Sequence, residues 1–270
     1  MTREDARKRI IVALDVSDVE RALELVTKLK GKVGGFKIGF EFIYSMFAKL
    51  VTSPEKTAHQ ILDQLRTLFA AFENQEFLDG KIADIGATVA GACKAICRLH
   101  PLMFNVHTFA GAPALIAARK TVDDMVDVLY FEPKPLILAV TILTSLGEDD
   151  LVQLGLKSED DTTPRRLEIV VRLAKLAQTH GCDGVIASPL EVSAIRTACG
   201  SDFLIYTPGV RLPGSSKDDQ VAVSTPGKSI RDGATGVIVG RDITGAEDVV
   251  AAAELVATNI VETVGTWKED

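Results

Sequence analysis

The sequence predicts a parallel (β/α)8 barrel in one domain over residues 1–270, and three observations support that fold class. The length is typical of one such barrel. Eight short apolar segments alternate with helix-like segments, which is the pattern of a parallel sheet covered by helices. No break in composition divides the chain. An open, doubly wound sheet is the alternative fold, but it does not require eight strands, and no G-x-G-x-x-G motif follows the first apolar segment.

The eight apolar segments are the predicted strands. The first, Ile10–Val16, is a nearly continuous apolar run of the kind found in parallel strands that are covered on both faces. The remaining seven, in chain order, are Gly34–Gly39, Glu76–Ala83, Leu102–Thr108, Leu136–Ile142, Gly184–Ser188, Phe203–Thr207 and Gly236–Gly240.

Helical patterns fill most of the intervals between these strands. Two of them follow the second strand, so one is an addition to the basic barrel unit. Ser53 is the expected N-cap of the later one, with Pro54 at its first helical position and Glu55 in its first turn. The predicted helices are Val19–Leu29, Phe40–Leu50, Pro54–Phe72, Thr88–Leu99, one from about Pro113, Arg165–Gln178, Thr225–Gly233 and one that opens at Thr244.

Three further local predictions concern the second half of the chain. The polar segment Ser145–Pro164 is expected to be a long loop with a short helix. The segment Arg211–Ser224 is rich in Gly, Ser and Asp, as expected of a lid over a site. Thr244 and Glu247 have the spacing of a capping box, so we interpret them as the start of the last helix.

Composition excludes several classes of function. The net charge of −7 argues against a nucleic-acid-binding surface. No run of about 18 apolar residues is present, so no membrane span is expected. The charged N-terminal residues are followed by only a short strand, which is not the pattern of a signal peptide.

Cysteine and histidine usage points to a cytoplasmic protein without a structural metal. The four cysteines have no metal-type spacing, and we expect them to pack in the core of a protein from a reducing compartment. The four histidines form no H-x-x-x-H pair, so a metal site built from histidines is not indicated.

The stretch Phe77–Thr88, FLDGKIADIGAT, concentrates charge at the end of the third strand. Asp79 and Lys81 are two residues apart and should point to the same face, and Asp84 follows where the strand gives way to a helix. A structural salt bridge explains the first two charges equally well. A third charge at the carboxyl end of a strand favours chemistry, because (β/α)8 barrels place their active sites there.

The ends of the other strands also carry polar residues. In a barrel these residues converge on one face, so they are the candidate site. His107 is equally well explained as a core or interface residue, and we leave it out of the site. The residues at the strand ends are Asp15, Lys37, Asp79, Lys81, His107, Thr141–Thr144, Ser188, Thr207–Arg211, Gly240 and Arg241.

The third-strand stretch resembles the D-x-K-x-x-D-I-x-x-T motif of the orotidine 5′-phosphate decarboxylase family, with Asp79, Lys81, Asp84, Ile85 and Thr88 in the motif positions. Mg-dependent sugar-phosphate decarboxylases share D-x-K-x-x-D, so this motif alone does not separate the two groups.

Lys37 distinguishes the orotidine 5′-phosphate decarboxylase family from the Mg-dependent sugar-phosphate decarboxylases. The Mg-dependent relatives carry an acidic metal ligand on the second strand, whereas a lysine there would repel a divalent cation. The alternative for Lys37 is a surface lysine that buries only its aliphatic stem.

The resemblance extends from position 15 to position 241 and implies a role for each matching residue. It implies that Asp15 binds the ribose and that Lys37, Asp79, Lys81 and Asp84 form a catalytic charge network. It implies a homodimer in which Asp84 and Thr88, with Ile85 between them in the motif, reach the partner's site. It further implies pyrimidine contacts from Thr144 and Pro208, a phosphate grip by Gly240 and Arg241, and no cofactor or metal.

One position departs from the family pattern. The family often carries a glutamine after the seventh strand that bridges base and phosphate, and Pro213 stands at the position we align to it. Proline has no side-chain donor, so this clamp is absent, made by backbone or supplied elsewhere. Gln220 is a candidate further along the loop.

The sequence therefore predicts an enzyme that converts orotidine 5′-phosphate to uridine 5′-phosphate in pyrimidine synthesis. Two rival interpretations stay open at this point. One is a Mg-dependent sugar-phosphate decarboxylase or aldolase of the same superfamily. The other is a phosphate-binding barrel that has kept Arg241 but lost its chemistry, although folding would not require the five charges on Asp15, Lys37, Asp79, Lys81 and Asp84.

Overall fold

The structure is a computed structural model that describes residues 1–129, 133–161, 165–213 and 224–265, and its eight parallel strands close into a barrel. Each strand pairs with the next in the chain, and the eighth pairs with the first. This closure confirms the predicted (β/α)8 barrel. The strands are β1 (Ile10–Ala13), β2 (Gly35–Ile38), β3 (Glu76–Ile82), β4 (Met103–His107), β5 (Leu136–Val140), β6 (Gly184–Ile186), β7 (Leu204–Thr207) and β8 (Gly236–Val239).

Helices surround the barrel, and none of those within the described residues is long and apolar enough to cross a membrane. They are α1 (Arg3–Lys8), α2 (Val19–Leu29), α3 (Phe40–Thr52), α4 (Glu55–Phe72), α5 (Gly86–Cys97), α6 (Gly111–Leu129), α7 (Glu148–Gln153), α8 (Arg166–Thr179), α9 (Val192–Cys199), α10 (Pro226–Arg231), α11 (Arg241–Thr244) and α12 (Val249–Gly265).

Two helix starts differ from the sequence predictions for local reasons. Ser53 is the C-cap of α3, and Pro54 is the N-cap of α4 without a side-chain cap bond. The residue before a proline avoids helical dihedrals, so α3 has to end at this point. Helix α5 begins at Gly86 and not at Thr88. Three helices, α1, α9 and α11, were not among the predicted ones.

The predicted capping box at Thr244 and Glu247 is also wrong. Thr244 ends the short helix α11, and the last long helix begins only at Val249. Asp248 is its cap, because one carboxylate oxygen accepts hydrogen bonds from the backbone N–H groups of Val250 and Ala251, each at 3.0 Å. A carboxylate directly before the first turn satisfies these N–H groups better than a threonine four residues earlier.

The core has two layers, separated by the sheet. Inward-facing side chains fill the barrel, while the outward-facing ones pack against the helices. All four cysteines are buried and free, as predicted, and burial raises the pKa values of Cys93 and Cys182 to about 12. The side chains inside the barrel are those of Ile11, Ala13, Phe77, Met103, Leu138, Val140, Ile186 and Ile238.

Glu76, at the start of β3, is a buried carboxyl whose pKa no neighbouring positive charge lowers. It is next to the inward-facing Phe77, so it points toward the helices, and it is 1% exposed. Its Oε2 has no hydrogen-bond partner among the described residues. Burial raises the pKa of this carboxyl from 4.5 to about 7.

Replacing Glu76 with glutamine should therefore raise the free energy of unfolding most at alkaline pH. The folded carboxyl holds its proton more tightly than the unfolded one, so stability falls as pH rises from 4.5 to about 7. We expect the gain at about pH 8 to exceed the gain at about pH 5 by roughly 2 kcal/mol in urea unfolding. Glu247→Gln, at an exposed position, is the control. Equal gains at both pH values would contradict a buried titrating Glu76.

Candidate active site

A cavity of about 610 Å³ opens at the carboxyl ends of the strands. Eight of the eleven residues assigned to the site from the sequence line it, although they come from widely separated parts of the chain. They are Asp15, Lys37, Asp79, Lys81, Thr144, Pro208, Gly240 and Arg241.

The alternation of the strands explains why the charged side chains enter the cavity. In the barrel register Ala13 lies opposite Lys37, and Lys37 lies opposite Phe77. Ala13 and Phe77 belong to the apolar filling of the barrel, so Lys37 points inward as well. Asp79 is two residues beyond Phe77 and shares its face, one layer closer to the carboxyl end.

Asp79 is the centre of a chain of ion pairs. Lys37 Nζ lies 2.8 Å from Asp15 Oδ1 and 3.1 Å from Asp79 Oδ2. Lys81 Nζ lies 2.7 Å from Asp79 Oδ1 and 2.8 Å from Asp79 Oδ2. The carboxylates and ammonium groups therefore alternate in the order Asp15, Lys37, Asp79, Lys81.

The two buried members of this chain stay ionised despite their burial. Burial raises the pKa of Asp79, but the positive charges of Lys37 and Lys81 outweigh it and hold the pKa below 3.8. Burial likewise lowers the pKa of Lys37, but the carboxylates of Asp79 and Asp15 outweigh it and raise the pKa above 10.5. The network thus presents fixed charges to whatever enters the cavity at neutral pH.

The backbone of β3 is irregular where it carries these charges. The pairing with β4 shifts register between Leu78 and Ile82, and Lys81 has a φ of 38°. A non-glycine residue in this region costs on the order of 1–3 kcal/mol and persists only where surrounding contacts hold it. One such contact is the 2.6 Å hydrogen bond from Lys81 N to Asn105 Oδ1.

Asn105, in the middle of β4, was not assigned to the site from the sequence. It is fully buried, and its Nδ2 donates to Asp79 Oδ1 at 2.6 Å. The only signal in the sequence is a single amide inside the apolar run LMFNVHT. Its partners follow from the register between β3 and β4, which the sequence does not specify.

Three other polar residues line the cavity: Glu41, Arg211 and Thr244. Arg211 was among the strand-end residues but had no assigned role, and Glu41 and Thr244 were not predicted as site residues. Arg211 is buried, with Nε 3.5 Å from Asp242 Oδ1, and Asp242 Oδ2 accepts a hydrogen bond from Leu212 N. Since Asp242 follows Arg241, these contacts place two guanidinium groups on the same side of the cavity. Two such groups suit a multiply charged anion such as a phosphate.

The loop that carries Thr144 is fixed from behind by Arg166. Its guanidinium donates to the carbonyl oxygens of Leu146 at 2.6 Å and Leu143 at 3.4 Å, on both sides of Thr144. The same guanidinium donates to the buried Glu191 Oε1 at 2.6 Å.

The predicted short helix within residues 145–164 is α7, and residues 162–164 of this segment lie outside the described part of the chain.

Three predicted site residues lie outside the lining of this cavity. Asp84, Ile85 and Thr88 are all exposed, with Ile85 72% exposed. The Asp84 carboxylate accepts a hydrogen bond from the backbone of Ile85 at 2.7 Å. His107, which we left out of the site, is half-buried beside Phe109, and burial together with Lys81 lowers its pKa.

Two further sequence predictions concern the loop after β7. Pro213, the departure from the family pattern, is exposed. Gln220 and most of the predicted lid, residues 214–223, lie outside the described residues. Across the ranges that the structure does describe, no group of three or more His, Cys, Asp or Glu side chains is placed to hold a metal ion.

Comparison with known proteins identifies the family. Residues 8–256 match the model of the orotidine 5′-phosphate decarboxylase / HUMPS family. The orotidine 5′-phosphate decarboxylase of Moorella thermoacetica is 41% identical over 261 residues, which cover 96% of this chain and 95% of that protein. That of Trichlorobacter lovleyi is 40% identical over 97% of this chain and 98% of that protein.

A solved structure agrees with these matches. The orotidine 5′-phosphate decarboxylase of Lactobacillus acidophilus aligns with a TM-score of 0.69 and 31% identity, over 93% of this chain and 98% of that chain. The similarity therefore extends over the barrel and over every strand end that contributes to the cavity. This chain belongs to the orotidine 5′-phosphate decarboxylase / HUMPS family.

Proposed function

We propose that this chain decarboxylates orotidine 5′-phosphate to uridine 5′-phosphate, the last step of pyrimidine synthesis, without a metal or cofactor. The observation that carries the proposal is the ion-pair chain through Lys37, Asp79 and Lys81 at the carboxyl ends of β2 and β3. The ammonium of Lys37 lies between two carboxylates, the position at which a metal-dependent relative would need an acidic ligand. The relatives named above support the same reaction.

The chemistry requires stabilisation by fixed charge. Loss of CO2 from C6 leaves a carbanion whose lone pair lies in the plane of the pyrimidine ring, so the ring π-system cannot delocalise it. Lys81 stabilises this carbanion with its ammonium and then donates the proton to C6. Asp79 opposes the negative charge of the substrate carboxylate, and departure of CO2 removes that repulsion.

The remaining lining residues bind the parts of the substrate that do not react. Asp15 binds the ribose, Thr144 and Pro208 contact the pyrimidine, and Gly240 with Arg241 holds the phosphate. Phosphate binding supplies free energy that holds the reacting ring against the charge network.

We also propose that the enzyme is a homodimer with shared active sites, located in the cytoplasm. Asp84, Ile85 and Thr88 are exposed and do not line the cavity of their own chain, which leaves them available to a partner. Ile85 is a large apolar side chain that is 72% exposed, and burial in an interface would remove that surface from water. Free, buried cysteines suit a reducing compartment.

Ultraviolet absorbance tests the proposed reaction. Purified protein with EDTA present should consume orotidine 5′-phosphate and release uridine 5′-phosphate in equal amounts. Activity that EDTA abolishes and Mg²⁺ restores would instead support the metal-dependent rival. Binding of uridine 5′-phosphate without turnover would support the rival in which the barrel binds phosphate but has lost its chemistry.

Mixing two inactive variants tests the shared site. Lys81→Ala and Asp84→Ala chains should each be nearly inactive alone, because each lacks one half of every site. In a mixed dimer one of the two sites contains both wild-type residues, so up to about a quarter of wild-type activity should return after exchange of subunits at equal amounts. Mixed dimers that form but stay inactive would contradict a site built from both chains.

A further inference from the structure

Asn105 occupies a position that would otherwise carry an apolar side chain. It lies opposite Leu138 in the register of β4 and β5, and Leu138 belongs to the apolar filling of the barrel. Met103, two residues earlier on the same face of β4, belongs to that filling as well. An amide at such a fully buried position is costly unless both its ends are hydrogen-bonded.

Both ends of the amide are used, and both bonds go to the charge network. Nδ2 donates to Asp79 Oδ1, and Oδ1 accepts from the backbone N–H of Lys81, each at 2.6 Å. The amide therefore bridges the bulge in β3, linking the side chain at its start to the backbone two residues later. The second bond also helps to hold Lys81 at its positive φ.

We propose that Asn105 is a positioning residue that holds the Asp79 carboxylate and the Lys81 backbone in the arrangement needed for decarboxylation. This inference rests on the proposed function and assigns Asn105 no contact with the substrate. Lys81 Nζ reaches both oxygens of Asp79, so the rotation of that carboxylate decides where the ammonium points. Lys37 Nζ lies 3.1 Å from Oδ2, and Asn105 is the neutral donor to Oδ1.

Asn105→Ala should lower kcat and leave KM almost unchanged. The lost bond to a charged group corresponds to roughly a 10- to 100-fold reduction in kcat. The acid limb of the pH profile of kcat, where kcat falls as the pH decreases, should also move to higher pH. The groups that face Asp79 are Lys37, Lys81 and Asn105, and the amide is one of those that hold its pKa down. A purely structural amide would change the melting temperature without moving this limb.

Asn105→Asp separates the two hydrogen bonds. It keeps the size of the side chain and an acceptor for Lys81 N, but it replaces the donor with a carboxylate that faces Asp79. Repulsion between the two carboxylates should move the acid limb further than in Asn105→Ala and reduce kcat more. This variant also keeps the proposal testable if Asn105→Ala does not fold.

Asn259→Ala is the matched control. Its Oδ1 accepts from Gly227 N at 2.8 Å, between α10 and α12, and it does not line the cavity. We expect it to lower the melting temperature while kcat and the pH profile stay at wild-type values.

The experiment is a pH series of kcat and KM for orotidine 5′-phosphate, with melting temperatures, on the wild type and these three variants. A kcat loss with a shifted acid limb in both Asn105 variants would support the proposal. If the wild type is active and both Asn105 variants keep its kcat and its acid limb, this proposal alone is overturned. A wild type without turnover would overturn the proposed function, and this inference with it.

Discussion

Lys81→Ala should abolish decarboxylation while the variant still binds uridine 5′-phosphate. The substitution removes the proton donor and the cation nearest to the developing carbanion, so we expect kcat to fall by roughly 10⁴-fold or more. Binding of the product nucleotide should persist, because Arg241, Thr144 and Pro208 are unchanged on the cavity lining. Single-turnover kinetics and calorimetric titration with uridine 5′-phosphate measure the two quantities separately.

Lys94→Ala is the control, because it removes a lysine that lies outside the cavity. Lys94 lies on α5 and is exposed, so its removal should leave kcat at the wild-type value. Near-normal turnover by Lys81→Ala would refute the assigned role. Loss of both turnover and nucleotide binding would show instead that Lys81 maintains the shape of the cavity.

Arg241→Ala should weaken kcat/KM strongly for orotidine 5′-phosphate and leave the much slower reaction of orotidine almost unchanged. The phosphate does not react, so its contacts act through binding of the substrate and not through the chemical step itself. A lost charge-assisted contact of this kind is worth on the order of 2–5 kcal/mol, or roughly 30-fold to several thousand-fold. Arg211 remains on the same side of the cavity, so we expect the lower half of that range.

Arg231→Ala is the matched control, because Arg231 is exposed on α10 and does not line the cavity. It should leave kcat/KM unchanged for both substrates. Arg211→Ala alone should resemble Arg241→Ala if the two guanidinium groups share the phosphate. An equal loss on both substrates in Arg241→Ala would show that Arg241 stabilises the barrel and does not bind the phosphate.

The barrel itself was predictable because its signals are local. Each strand is a short apolar run, and each polar residue at a strand end is placed on the same face of the molecule by the closure of the sheet. Asp15, Lys37 and Arg241 could therefore be assigned to one site although more than 200 residues separate the first from the last.

The parts that could not be predicted depend on long-range register. Asn105 meets Asp79 and Lys81 only because β3 shifts register against β4. Gly80 is compatible with such a bulge, but the sequence does not specify which residue of β4 the shift brings into contact. The burial of Arg211 depends on Asp242, which is 31 positions away. Helix ends were misplaced where two caps compete, as at Ser53, where the following proline decides.

The most direct test follows the carboxylate and the proton in one reaction. Orotidine 5′-phosphate labelled with ¹³C in its carboxyl group is incubated with the wild-type protein and EDTA in D2O, and NMR records the products. We predict one labelled CO2 and one uridine 5′-phosphate with deuterium at C6 for each substrate consumed. Label that stays on the nucleotide, or a reaction that stops until Mg²⁺ is added, would contradict metal-free decarboxylation by this site.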